Sequence, residues 1–518
     1  MLLGLLLLAA APAAGELDIA DPAPRSDDDL FWSDGAYLMS VYQIEKGLNP
    51  AYWLKRLGAW PPTEAGNLDA LGEPPDSSWF VGRHGRRRLS AAELARGPGM
   101  EPPAFPWIVE KGKSTGENPG FVARDALGRR LFVKFDPLGR PGLSSNGEVI
   151  VSRLLHAAGY NVPAVDHVWV DSAAVSLSSK AVTRDRYLRK RPMTPADLEA
   201  VFAAAARSPD GRFSAAASLA LPGKPKGPFG YLGRRRDDPN DVVHHEDRRE
   251  LRALQIFSAW VNNTDTRGGN THDAYIEEDG RRFLRHYLLD FSASFGSGNA
   301  EPKPYYEGHE YAFDPAIVAA SWLTLGLWVK PWEKTPAHEY PELGPFPSGH
   351  FDPERWKPAF ANPAFQRLTP ADGFWAARLA AAFTDADLDA LLSLGHFPTP
   401  GSREHLLRAL IERRDIIARR WLCSREVSSL DEPRLDSGRL VLADLGKRGG
   451  CAGGTRYRWE RTGAPGLVTT RPELDLPPDF SGAVRVRIRR DGERRWGRAL
   501  KVSIELFDGR PAVAGMSR

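Results

Sequence analysis

From Phe105 to Asp136 the apolar positions fall in short runs separated by turn residues. Trp107–Gly112 (W-I-V-E-K-G), Gly120–Arg124 (G-F-V-A-R) and Arg129–Asp136 (R-R-L-F-V-K-F-D) read as three strands. The G-K-S-T-G-E-N-P-G and D-A-L-G segments between them supply the turns. From Glu148 to Gly159 the spacing of Val149, Leu154 and Leu155 changes to that of a helix, with glycine as its stop. Val165 to Val170 and Phe213 to Leu221 read as strands again, so this stretch predicts a small antiparallel sheet carrying one helix. A Pro/Gly-rich connector follows, from Leu221 to Asn240. Beyond it Asp241 is placed to cap a helix whose apolar side is Leu251, Leu254, Phe257 and Val261. That helix runs into the polar loop N-N-T-D-T-R-G-G-N. Two β-like runs then end at Asp290.

Residues 314–422 read as mainly helical, and 425–518 return to period-two runs such as A-V-R-V-R-I. Before Phe105 the chain is a mixture of helical pieces broken by Pro and Gly. Within it, Ser90 to Glu93 (S-A-A-E) has the form of a capping box. The predicted class is α+β. Its expected units are a leader at 1–15, an extension at 16–104, two lobes at 105–225 and 226–424, and a β-rich unit at 425–518.

Leu2 to Ala14 is uncharged and ends in A-P-A-A-G before Glu16, the pattern of a secretory signal and its small-residue cleavage site. It is shorter than the ~20 apolar residues a membrane span requires. The expectation is a secreted or periplasmic protein with no stable membrane insertion after cleavage. The chain has two cysteines, Cys423 and Cys451, which an oxidising compartment would allow to pair. Across 518 residues the formal charge is only +3, so no global field points to nucleic acid. The clusters at Arg86–Arg88, Arg189–Arg191 and Arg234–Arg236 read as solvated faces. The His244-His245-Glu246 run is set aside as a metal site, because adjacent residues of a helix point to different faces.

Phosphoryl transfer needs few groups, each in a fixed role. A glycine loop lets backbone N–H groups approach phosphates, and a lysine held by a glutamate neutralises them. An aspartate orients the nucleophile, while an asparagine and a second aspartate hold magnesium. The chain offers one candidate for each in that order: Gly112, Gly116 and Gly120, then Lys134, Glu148, Asp265, Asn270 and Asp290. The strongest element is D-T-R-G-G-N, Asp265 to Asn270, with four residues between Asp and Asn after a long helix. Downstream, L-L-D-F-S sets Asp290 before Phe291, with Ser292 where a glycine is usual.

These motifs resemble atypical kinases of the HipA type, the secreted spore-coat kinases of the CotH type and, more remotely, lipid kinases, over about residues 105–422. The resemblance implies a bilobal fold binding ATP and magnesium. By it, Lys134 contacts the α/β-phosphates and pairs with Glu148. Asp265 is the catalytic aspartate, Asn270 and Asp290 are the magnesium ligands, and L-A-L-P-G-K around Leu221 is the hinge that meets adenine. It also implies an acceptor that is a protein, lipid or small molecule. Asn263-Thr264 in place of His-Arg, and the lack of a readable A-P-E segment, set the chain apart from ordinary Ser/Thr and Tyr kinases. Two rival expectations use the same fold: a pseudokinase serving as a binding or scaffold protein, and nucleotidyl transfer.

Overall fold

The computed structural model describes residues 16–26, 37–38, 41–50, 54, 63–99, 101–113, 116–187, 189–334, 340–451 and 453–518. The expected leader, and the tip of the glycine turn at Ser114 and Thr115, lie outside the described residues.

A seven-stranded sheet is built from β1 (Trp107–Gly112), β2 (Gly120–Arg124), β3 (Arg130–Phe135), β4 (Val165–Val170), β5 (Val175–Arg184), β6 (Lys190–Pro192) and β7 (Phe213–Leu219), in the order β4-β7-β3-β2-β1-β5-β6. The expected sheet was all antiparallel. In fact β1 and β5 run parallel. On β3 the alternation sends Leu131, Val133 and Phe135 into the core. There they meet Phe202 of the helix Pro195–Ala203. Lys134 points to the opposite face.

Helices α1 (Tyr42–Leu48) and α2 (Ala91–Arg96) come earlier in the chain. The capping box of α2 forms as read, Ser90 accepting from the Glu93 N–H and Glu93 from that of Ser90. Next comes α3 (Ser152–Ala158), entered through a π-helical turn at Gly147–Val151 that contains Glu148. The Pro195–Ala203 helix is α4, and α5 is Arg249–Val261.

Helix α5 departs from expectation twice. Asp241 does not cap it; the helix starts eight residues later, and the Asp241 carboxylate instead accepts from the Arg235 N–H, His245 Nε2 and Arg248 Nη2. Nor is α5 half-solvated, since every one of its residues is buried. Its charged side is neutralised inside the protein, with Arg249 and Arg252 both reaching Asp372. Arg235 is likewise fully buried, against Asp237 and Asp273, rather than part of a solvated cluster.

The hairpin β9 (Thr271–Glu278) and β10 (Arg281–Leu288) follows α5, with the short strand Lys224–Pro225 (β8) paired to β9. Its turn is Asp279-Gly280, both at positive φ, the combination that two-residue hairpins favour. The first described segment lies along this hairpin. Ile19 N–H donates to the Arg282 carbonyl, Arg25 N–H to that of Lys226, and Ala23 offers its carbonyl to Arg235.

Residues 314–422 are less helical than their pattern suggests. They hold α6 (Pro315–Leu323), α7 (Pro370–Ala380), α8 (Asp385–Leu392) and α9 (Ser402–Leu422), but 335–339 lie outside the described residues and most of 340–369 is irregular. Helices α3, α5, α7, α8 and α9 share a core around Trp260, Trp375 and Trp421. The end of the chain is β-rich as expected. Sheets β11-β12-β15 (Leu430–Asp436, Arg439–Asp444, Glu473–Asp475) and β14-β13-β16-β17-β18 (Leu467–Thr469, Thr455–Arg461, Gly482–Arg490, Leu500–Phe507, Arg510–Ser517) enclose one core around Trp459, Val486 and Leu500. A disulfide joins Cys423, just past α9, to Cys451. Among the described residues no helix is long and apolar enough to cross a membrane.

Candidate functional site

Lys134 leaves the open face of β3 and meets two carboxylates from distant parts of the chain. Its Nζ pairs with Glu148 Oε1 and lies 2.8 Å from Asp290 Oδ1. Glu148 is 4% exposed and held by the π-helical turn, where its second oxygen accepts from the Phe291 N–H (3.3 Å). One glutamate thus touches both the lysine and the residue after Asp290. Gly147 makes this closeness possible, since a Cβ there would stand 2.5 Å from the Phe291 carbonyl.

The turn is positioned by Asp136, just past β3. Its fully buried carboxylate accepts from the N–H groups of Gly142, Ser144 and Ser145 and from two serine hydroxyls. The chain is thereby folded back so that the helix start faces Lys134.

Asp290 sits in the left-handed region at φ 59, a conformation an aspartate adopts at some cost. Ser292 Oγ donates to its Oδ1 (2.6 Å) and also contacts Asn299 Oδ1 (2.7 Å). Hairpin register brings Asn270 alongside: Thr271 opposes Leu288, and Leu289 N–H donates to the Asn270 carbonyl (2.9 Å). Asn270 Nδ2 in turn donates to the Asp265 carbonyl (2.7 Å), closing the loop on itself. That loop is pinned at its start by Asn262, in the left-handed region at φ 54, whose side chain accepts from Trp356 Nε1. Lys303 Nζ, buried beneath, donates to the carbonyls of Asn262 and Ala293. The Asp265 carboxylate faces Arg267 Nε at 3.0 Å.

Charge is divided unevenly in this cluster. Desolvation opposes the ionised Asp290, but the Lys134 charge, its hydrogen bond and that of Ser292 outweigh it, leaving Asp290 well below the usual carboxylate range. Glu148 moves the other way: its burial dominates, and Asp290 repels it. Desolvation also opposes the Lys134 ammonium, and the two carboxylates more than compensate, so it stays protonated.

The three loop glycines have different duties. Gly116 is in the turn at φ 79, where glycine is favoured. Gly112 and Gly120 are strand residues at close contacts, since a Cβ would meet Thr183 Oγ1 at 2.5 Å and the Val133 carbonyl at 2.3 Å respectively.

Several groups around the cluster were not singled out from the sequence. Lys113 Nζ donates to the Asn118 carbonyl, and burial followed by the Lys134 charge pushes it down to about 8. Asn118, Ser144 and the Asn299 carbonyl form a hydrogen-bonded chain beneath the glycine turn. Adjacency of Lys113 to Gly112 was the one available signal; Asn299 gave none, because its contact depends on a loop fold without periodicity. His244, Glu246 and Asp247 come together near the start of α5. His245 turns inward to Asp241 while His244, which precedes the 3-10 turn and is not on a helix as expected, faces solvent.

No protein-family model matches the chain, and no curated protein does. Among solved structures it is similar to the Helicobacter pylori proinflammatory kinase CtkA, at a TM-score of 0.30 and 10% identity over 60% of this chain and 94% of that one. It is also similar to the Golgi casein kinase, at a TM-score of 0.30 and 11% identity over 65% of this chain and 75% of that one.

Proposed function

We propose that the chain is an exported, bilobal, kinase-like phosphotransferase that uses ATP and magnesium on a protein, lipid or small-molecule acceptor. The observation that carries this reading is the pairing of Lys134 with both Glu148 and Asp290. In this reading Glu148 holds Lys134 extended toward the α/β-phosphates, and the Gly112–Gly120 turn covers them. Asn270 and Asp290 offer the hard oxygen donors that magnesium prefers, and Asp290 is kept ionised for that purpose. When bound, the metal neutralises charge on the phosphoryl group in transfer. Asp265 orients the acceptor hydroxyl and takes its proton, and the stretch around Leu221, which links the large sheet to the hairpin, meets adenine. The disulfide fits an oxidising compartment.

A second reading keeps the fold and nucleotide site without turnover, as a binding or scaffold protein. The Arg267 guanidinium supports it, because it partly neutralises the carboxylate that would accept the proton.

Binding and turnover separate the two. ATP with magnesium raises the melting temperature on either reading, and Lys134→Ala weakens that shift. On the enzyme reading Asp265→Asn retains most nucleotide affinity, while transfer from labelled ATP falls roughly a hundredfold or more. Equal trace turnover in wild type and Asp265→Asn, with both still binding, selects the scaffold. No thermal shift with any nucleotide overturns both.

A further inference from the structure

One projection is built against the usual rule of burial. From Pro315 to Val329 the chain carries no charged residue, yet none of the residues of α6 is buried. Trp322, Leu323, Leu325 and Leu327 are each more than four-fifths exposed, at 83, 87, 88 and 83%. They surround a tight reversal at Leu325-Gly326, both in the left-handed region. A helix apolar on every face belongs in a core or in lipid, and this one is in neither.

The base of the projection is different. Asp314 is paired with Lys357, and Lys330 with Glu310 at 2.6 Å. Trp332 stacks on His309 with ring centroids 5.0 Å apart, and Trp328 meets its edge. Polarity therefore changes along the length of the finger, from a charged root with Trp328 and Trp332 to an uncharged tip of Trp322, Leu323, Leu325 and Leu327, and not from one side to the other. A protein groove covers one side of a helix. A bilayer surface surrounds all sides and presents the same order: water, an interfacial zone favoured by tryptophan, then hydrocarbon. Nine helical residues reach roughly 13 Å, enough for the ~5–10 Å penetration of an interfacial element and far short of a span.

We propose that residues 315–329 form an interfacial anchor that seats this protein reversibly on a phospholipid bilayer. The proposal is independent of the phosphotransfer reading, since none of these residues belongs to the Lys134 cluster.

The test is flotation of the full-length chain with phosphatidylcholine vesicles, comparing wild type with the double variant Leu323→Asp, Leu327→Asp. Both positions are solvent-facing, so the variant should keep the wild-type melting temperature. Its vesicle partition should drop at least tenfold. Quenching by brominated lipid should also lose one component in Trp322→Phe. Equal flotation of wild type and the double variant would assign any membrane affinity to another segment, such as the apolar Leu2–Ala14, and overturn the proposal. So would absence of flotation in both. A dimer in sedimentation that the double substitution dissolves, with no change in flotation, would make the occupant a second copy and overturn it likewise.

Discussion

At Lys303 and Lys113 the protein pays a cost in buried charge that pH can read out. Burial pushes both ammonium groups down to about 8 from an ordinary value of 10.5. Between those values the unfolded chain holds a proton that the folded chain has released. Stability therefore rises as pH increases from 8 toward 10.5, with a slope of up to about 1.4 kcal/mol per pH unit for each group. Lys303→Met removes one of the two, so chemical denaturation at pH 8, 9 and 10 should give a shallower rise than wild type. Parallel profiles would show that Lys303 titrates normally. Sequence reading could locate Lys134 because its strand alternation was clean. It could not flag Lys303, whose burial depends on Asn262 and Ala293 closing over it from different segments.

Elements, more than single side chains, set the distances in the Lys134 cluster. The start of α3 approaches the residues after Asp290 so closely that only glycine fits at position 147. Gly147→Ala should cost about 1–3 kcal/mol through overpacking, and push Phe291 off Glu148. Magnesium-dependent nucleotide affinity should fall with it. Gly349, where an added methyl group would meet nothing within 4 Å, serves as the control, and Gly349→Ala should leave both quantities near wild type. Thermal melts and a nucleotide titration on the two variants make the comparison. A second element-level prediction concerns α9. Cys423→Ser with Cys451→Ser frees a loop of 28 residues and should lower stability by about 3 kcal/mol in urea, an effect reducing agent reproduces in wild type. Strands β1 to β4, β7, β9 and β10 and helices α3 and α5 were legible because each has its own period, whereas β5, β6, α4 and β8 went unread. The parallel pairing of β1 with β5 and the burial of all of α5 were not legible, since both arise from neighbours distant in sequence.

Across the whole molecule, Arg378 ties three regions together. It reaches Glu73 at 2.6 Å and Asp431 at 2.8 Å, linking the segment before α2, helix α7 and the first strand of the C-terminal sheets. Arg378→Ala leaves the buried Asp431 carboxylate with Arg518 alone, and the half-buried Glu73 with the Trp375 indole N–H. Roughly 3 kcal/mol should be lost. Calorimetry tests whether the C-terminal sheets then melt separately; a single unchanged transition would show the tie to be dispensable. The arrangement along the hairpin has a further consequence in time. Asp18 and Arg282, which are bonded in the folded chain, stand 264 residues apart. A ribosome adding ~5–20 residues per second needs on the order of 10–50 s to travel that far. Through that interval residues 16–25 have no strand to rest on, and Asp290 has not yet been made. A polypeptide stalled before β10 therefore leaves its earliest stretch loose and open to proteases, whereas in the finished one that stretch is hydrogen-bonded along the hairpin.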